Sequence, residues 1–240
     1  MFTISLIGEA SAGKTTLAMA LAVAAERAGL PTMLVDLDPG GSIMAWTGLR
    51  KAEAVNAVPR HAPMCCSAPT HQLRPVLEAA RTPSVGARMA VIDTASGADA
   101  DTLDAATQAA HVVLVPCRPA DLTAIGPCID LARRADTPTF VVLNDVPIQH
   151  RAGFTTVPQA RTALAAFGID FSPIVMYHRP NHVQARASGL TAQERYPMRP
   201  AAREIGALFA WVEGVELIKT DRAQDDDAQS STRGEARRKG

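Results

Sequence analysis

One stretch constrains this chain more than any other: residues 2 to 28, FTISLIGEASAGKTTLAMALAVAAERA. A short apolar run, read as a buried strand, passes through a glycine loop into a long alanine-rich run that reads as a helix ended by Gly29. Within it, Gly8-Glu9-Ala10-Ser11-Ala12-Gly13-Lys14-Thr15 meets the spacing G-x-x-x-x-G-K-[ST] at every fixed position. Strand, loop and helix in that order confine the N-terminal part to an α/β unit whose loop sits at the end of a strand.

The chemistry of such a loop follows from its residue types. Gly8 and Gly13 let the backbone turn so that successive N–H groups, those of Ser11 and Ala12 included, point inward at phosphate oxygens. The helix that follows adds the partial positive charge of its N-terminus. Lys14 reaches the β- and γ-phosphates, the Thr15 hydroxyl ligates Mg²⁺, and Thr16 adds a further phosphate contact. The expected ligand is therefore a magnesium nucleoside triphosphate, ATP. Lysine occurs only at Lys14, Lys51, Lys219 and Lys239, so its presence in the loop is the more informative.

The remainder alternates in the same way. TMLVDLD (32–38), RMAVIDT (88–94), HVVLVP (111–116), TFVVLND (139–145) and DFSPIVMY (170–177) read as further strands. Helical patterns lie near 70–81, 98–109, 121–135, 155–167 and 199–213. Strands apolar on both faces and alternating with helices predict a three-layer fold, a mostly parallel central sheet with helices on both faces. Residues 1–218 read as one domain. From Lys219 the composition turns to KTDRAQDDDAQSSTRGEARRKG, which has almost nothing to bury, and 219–240 is expected to be a disordered charged tail.

Charge and cysteine content exclude other classes. The chain carries 24 basic and 24 acidic side chains, so no overall field draws it to nucleic acid or to an anionic membrane, and any such contact needs a local patch. Cys65, Cys66, Cys117 and Cys128 form no CxxC pair and read as reduced thiols. His61, His71, His111, His150, His178 and His182 are scattered without metal spacing. No segment has the apolar length of a membrane span, and no basic leader precedes the first strand. The expected location is the cytoplasm.

Three further stretches narrow the reading. LVDLDPGGSIMAW (34–46), AVIDTASGAD (90–99) and ARASGLTAQERYPMRPAAREIGALFAWV (185–212) resemble, in that order, successive motifs of the ParA/MinD-type ATPases, and are most similar to the ParA partition ATPases. The resemblance implies roles. Asp38 would orient the attacking water, Asp36 would support the metal and phosphate region, Asp93 would hold the Mg²⁺ shell, and Asn144 would contact adenine. Strand-end side chains of this kind also cap turns, and that reading stands beside each role.

One departure matters. The family loop usually reads K-G-G-x-G-K-T, and its first lysine reaches across an ATP-bound dimer to the partner's nucleotide. Here that position is Glu9, followed by Ala10 and Ser11. A carboxylate about 6 Å from a phosphate charge costs about 3 kcal/mol at an effective dielectric near 20, so a favourable contact changes sign. Binding survives if Glu9 turns into water, but the contact in trans does not. Weak hydrolysis is expected unless a partner or another arginine, such as Arg118, supplies the charge.

What the resemblance implies for function is a ParA-like switch in DNA segregation: an ATP-dependent homodimer that binds DNA without sequence preference and answers to a ParB-like centromere-binding protein. Arg161, Arg186 and Arg203 are the candidate phosphate contacts. The alternative is a non-motor adaptor of the same family that recruits proteins for conjugative DNA transfer. A membrane-cycling role is disfavoured because the tail lacks an amphipathic basic helix.

Overall fold

The computed structural model describes residues 1–53, 62–148 and 155–215. The tail expected to be disordered, 219–240, lies outside these residues.

Six strands form one sheet: β1 (Phe2–Leu6), β2 (Thr32–Asp36), β3 (Met64–Ser67), β4 (Met89–Asp93), β5 (Val112–Cys117) and β6 (Thr139–Leu143), in the order β3-β2-β4-β1-β5-β6. Every pair is parallel. Parallel neighbours need crossovers, and helices supply them: α1 (Lys14–Arg27), α2 (Ser42–Glu53), α3 (Leu73–Arg81), α4 (Ala100–Gln108), α5 (Gly126–Arg134) and α6 (Val157–Ala166). Two short helices follow, α7 (Pro180–Arg186) and α8 (Ala192–Arg195), and then α9 at 200–215.

The period of two along each strand sorts the core into layers. Met89 and Val91 of β4, with Val112 and Leu114 of β5, face α1 and the Ile205, Leu208, Phe209 and Val212 stripe of α9. The alternate residues face the other way, Ala90 and Ile92 toward α3 and α4, and Val113 and Val115 toward α5 and α6. Helix α1 is buried along most of its length because Ala18, Ala20, Ala22, Ala24 and Ala25 let it lie close on the sheet. Fully buried Leu17 and Leu21 contribute about 2 kcal/mol each.

Some elements differ from the sequence expectation. Residues 170–177 are not a strand: they follow the outer edge of β6 through bridges at Val141–Phe171 and Val146–Tyr177. Pro173 interrupts the run, having no N–H to give a ladder. The sixth strand is instead β3, whose four residues Met-Cys-Cys-Ser are too short to show a period. Helix α2 also went unread, because Gly40, Gly41 and Gly48 obscure its pattern. It is started by Asp36, whose Oδ2 accepts the Ile43 N–H at 3.1 Å.

Candidate functional site

The polar end of the sheet gathers the predicted loop residues. Strand β1 lies inside the sheet, with β4, β2 and β3 on one side and β5 and β6 on the other, and the chain leaves it as the glycine loop; crevices at such points hold ligands in open α/β sheets. Parallel register brings Leu6 opposite Asp93 and Asp36 opposite Asp93, so both aspartates end strands beside the loop.

The loop has φ of 140° at Gly8, 58° at Ser11 and 91° at Gly13. For the glycines this is free, whereas Ser11 in a left-handed conformation costs about 1 kcal/mol. Gly13 is required twice over, since a Cβ there would also overlap the side-chain amide of Asn144.

Lys14, the first residue of α1, is 4% exposed. Its Nζ donates to Gly8 O at 2.8 Å and to Glu9 O at 2.9 Å, so the ammonium curls over the loop's own carbonyls. Burial pushes its pKa down, opposed first by the Asp93 carboxylate. Asp93 is fully buried, and among the described residues neither carboxylate oxygen has a hydrogen-bond partner of ordinary geometry. Burial pushes its carboxyl up to about 7 although the neighbouring Thr15 hydroxyl eases it, and Asp36 adds to the rise. Two orphaned carboxylate oxygens beside a threonine hydroxyl fit a hydrated divalent cation, which would satisfy both.

The other expected residues are placed as follows. Asp36 is buried with both oxygens engaged, Oδ1 by Asp38 N at 3.0 Å and Oδ2 by Ile43 N; burial raises its pKa while these amides lower it. It therefore organises the 38–43 turn. Asp38 is half-buried, with Oδ1 accepting from Gly40 N at 2.8 Å, and it faces a cleft of about 720 Å³ shared with Ser67, Thr70, Ser96 and Asp99. Thr16 follows Thr15 in the first turn of α1. Asn144 already spends one donor, its Nδ2 donating to Ala12 O at 2.7 Å. Glu9 is exposed, as binding requires. Arg118 pairs with Asp121 at 2.6 Å and is not an unengaged substitute for the missing lysine.

The arginines separate. Arg161 is half-buried, donates to Pro173 O at 2.7 Å and lies 5.8 Å from the Phe171 ring, so part of its guanidinium is engaged by the edge segment. Arg186 is half-buried at the end of α7, and Arg203 is exposed, donating to Met198 O at 3.0 Å. Between His178 and Arg203 the sole acid is Glu194, and it is turned inward to Arg50. Arg195 and Arg199 are exposed on the same stretch, which leaves its outside basic. Sequence reading passed over Arg195, Arg199 and Arg50; a count of acids along 178–203 would have raised the first two.

The buried lysine, the left-handed loop and the strand-end aspartates together invite comparison with known proteins. Residues 6–209 match the family of CobQ/CobB/MinD/ParA nucleotide binding domains. This chain belongs to that family.

Comparison with curated protein sequences gave no match. Solved structures share the family fold. The septum site-determining protein MinD of Pyrococcus horikoshii OT3, complexed with Mg-ADP, is 16% identical with a TM-score of 0.69, covering 91% of this chain and 98% of that one. A chain of the MinC:MinD cell division protein complex of Aquifex aeolicus is 15% identical with a TM-score of 0.70, covering 89% of this chain and 96% of that one. A Borrelia burgdorferi B31 protein assigned to plasmid partition, bound to AMPPNP, is 13% identical with a TM-score of 0.63, covering 89% and 99%. At such identities the likeness establishes the fold. Among the described residues of this family member, no helix is long and apolar enough to cross a membrane.

Proposed function

We propose that this protein is a ParA-like ATP-binding switch of DNA segregation, with weak intrinsic hydrolysis, a nucleotide-dependent dimer and non-specific DNA binding. The observation that carries the proposal is the Lys14–Thr15–Asp93 group at the loop, in which a buried ammonium is held only by the loop's own carbonyls and a buried carboxylate is unsatisfied among the described residues.

On this reading Lys14 leaves the Gly8 and Glu9 carbonyls for the β- and γ-phosphates, while the amides of Ser11, Ala12 and Gly13 and the Thr16 hydroxyl take the remaining oxygens. Bound Mg²⁺ would neutralise developing charge on the phosphates. Thr15 and Asp93 would hold it, with the Asp93 carboxyl in its charged form. Asp36 contributes by keeping the 38–43 turn in place, and Asp38 orients the attacking water from the cleft it faces. DNA contacts fall to Arg186, Arg195, Arg199 and Arg203, without Arg161.

Glu9 favours a second reading, a family adaptor that holds ATP without turning it over and recruits proteins for DNA transfer. Its carboxylate stands exposed where the resemblance calls for a lysine in trans. Sedimentation with Mg-ATP, Mg-ADP and no nucleotide tests the switch. A dimer specific to ATP supports it, and an assembly state indifferent to the γ-phosphate refutes it. The partners recovered, a ParB-like protein or transfer proteins, separate the two readings.

A further inference from the structure

The side chain of Asn144 reaches 132 residues back along the chain to the glycine loop, its Nδ2 donating to Ala12 O at 2.7 Å. The orientation of the amide is chemically forced: a backbone carbonyl only accepts, so the NH₂ end must face it. Asn144 itself is held from behind, its own N–H bonded to Cys117 O at 2.9 Å at the end of β5. The next turn is fixed too. Asp145 sits at φ 55° and its Oδ1 meets His178 Nδ1 at 2.6 Å, while Val146 N–H donates to Met176 O at 3.1 Å. The donor therefore projects from a rigid mount into the loop.

In a trans peptide the C=O and the following N–H point in opposite directions. Holding Ala12 O against Asn144 thus turns the Gly13 N–H the other way, at the very residue where α1 begins and where Gly13 is left-handed with φ 91°. A loop built from residues with positive φ is soft at its peptide planes, and a fixed acceptor removes that freedom before any ligand arrives.

We infer that Asn144 is a positioning residue for polyphosphate: it locks the Ala12–Gly13 peptide so that the loop amides are preset, a role independent of the base. The inference rests on the nucleotide reading above. It assigns Asn144 a different task from the adenine contact implied by the family resemblance.

Calorimetry at a temperature where all variants are folded separates these. The probes are magnesium tripolyphosphate, which has no base, and Mg-ATP, titrated into wild type, Asn144→Ala and Asn144→Asp. Asn144→Asp keeps the shape and removes the donor. Both variants are expected to lose roughly tenfold in affinity for tripolyphosphate and for ATP alike. A loss for ATP with tripolyphosphate unchanged overturns the inference in favour of a base contact. Unchanged affinity for both, with at most a lower melting temperature, also overturns it and reduces Asn144 to fold support. Wild-type protein silent to both probes refutes the nucleotide reading itself, an outcome distinct from either.

Discussion

Arg50 and Glu194 meet as a two-pronged ion pair, NH1 to Oε2 at 2.9 Å and NH2 to Oε1 at 2.5 Å, with side chains only 6% and 11% exposed. The pair joins the end of α2 to α8. Arg50 also donates to Gly189 O at 3.1 Å and stacks 4.9 Å from Trp46, while Glu194 closes the capping box of α8 with Thr191. A Cβ on Gly189 would run into the backbone at Arg50. Thus the G-x-T-x-x-E portion of the C-terminal motif is a latch on the helix that follows the Asp38 turn.

Breaking one side of that latch strands a buried charge. Glu194→Ala is expected to cost about 3 to 5 kcal/mol in urea unfolding. The paired change Arg50→Met with Glu194→Leu should recover most of it. Equal losses in the single and double variants would mean that the pairing itself contributes nothing.

Asp93 carries a pH signature. Its folded pKa is raised from 3.8 to about 7 by burial, so between these values the folded state holds a proton that the unfolded chain has lost. Stability without nucleotide then falls as pH rises through this window, by at most about 4 kcal/mol. Asp93→Asn should be the more stable protein near pH 8 and roughly equal to wild type near pH 4, by thermal melts. A gap that does not change with pH would contradict the burial argument.

Glu9→Lys tests the departure in the loop. Restoring an attractive charge near phosphate reverses a contribution of about 3 kcal/mol, so the ATP-dependent dimer should tighten at least tenfold by sedimentation equilibrium. The same variant with ADP should not change. No response with ATP would show that Glu9 does not govern assembly.

Arg199→Ala and Arg203→Ala should each weaken DNA binding in the presence of ATP and lower the salt slope by about 0.9 per lost phosphate contact. Arg161→Ala is expected to lower the melting temperature and leave DNA affinity unchanged, because its guanidinium holds Pro173 O. An Arg161 variant that lost DNA binding while melting normally would reverse that assignment.

The sequence by itself determined whatever depends on near neighbours in the chain. The loop from Gly8 to Thr15, the helix it opens and the central strands were legible because their chemistry is set by spacing of a few residues and by the strand period of two. The end of β4 at Asp93 was legible for the same reason. Tertiary structure alone decided which distant groups meet. Asn144 lies beside Ala12, and Arg50 beside Glu194, only because strand order and α2 bring together parts of the chain more than 130 residues apart. The same packing set Gly189 against the backbone of Arg50 and laid 170–177 along the edge of β6. A side chain's type fixes what it can bond, whereas burial and long-range proximity select which of those bonds is made.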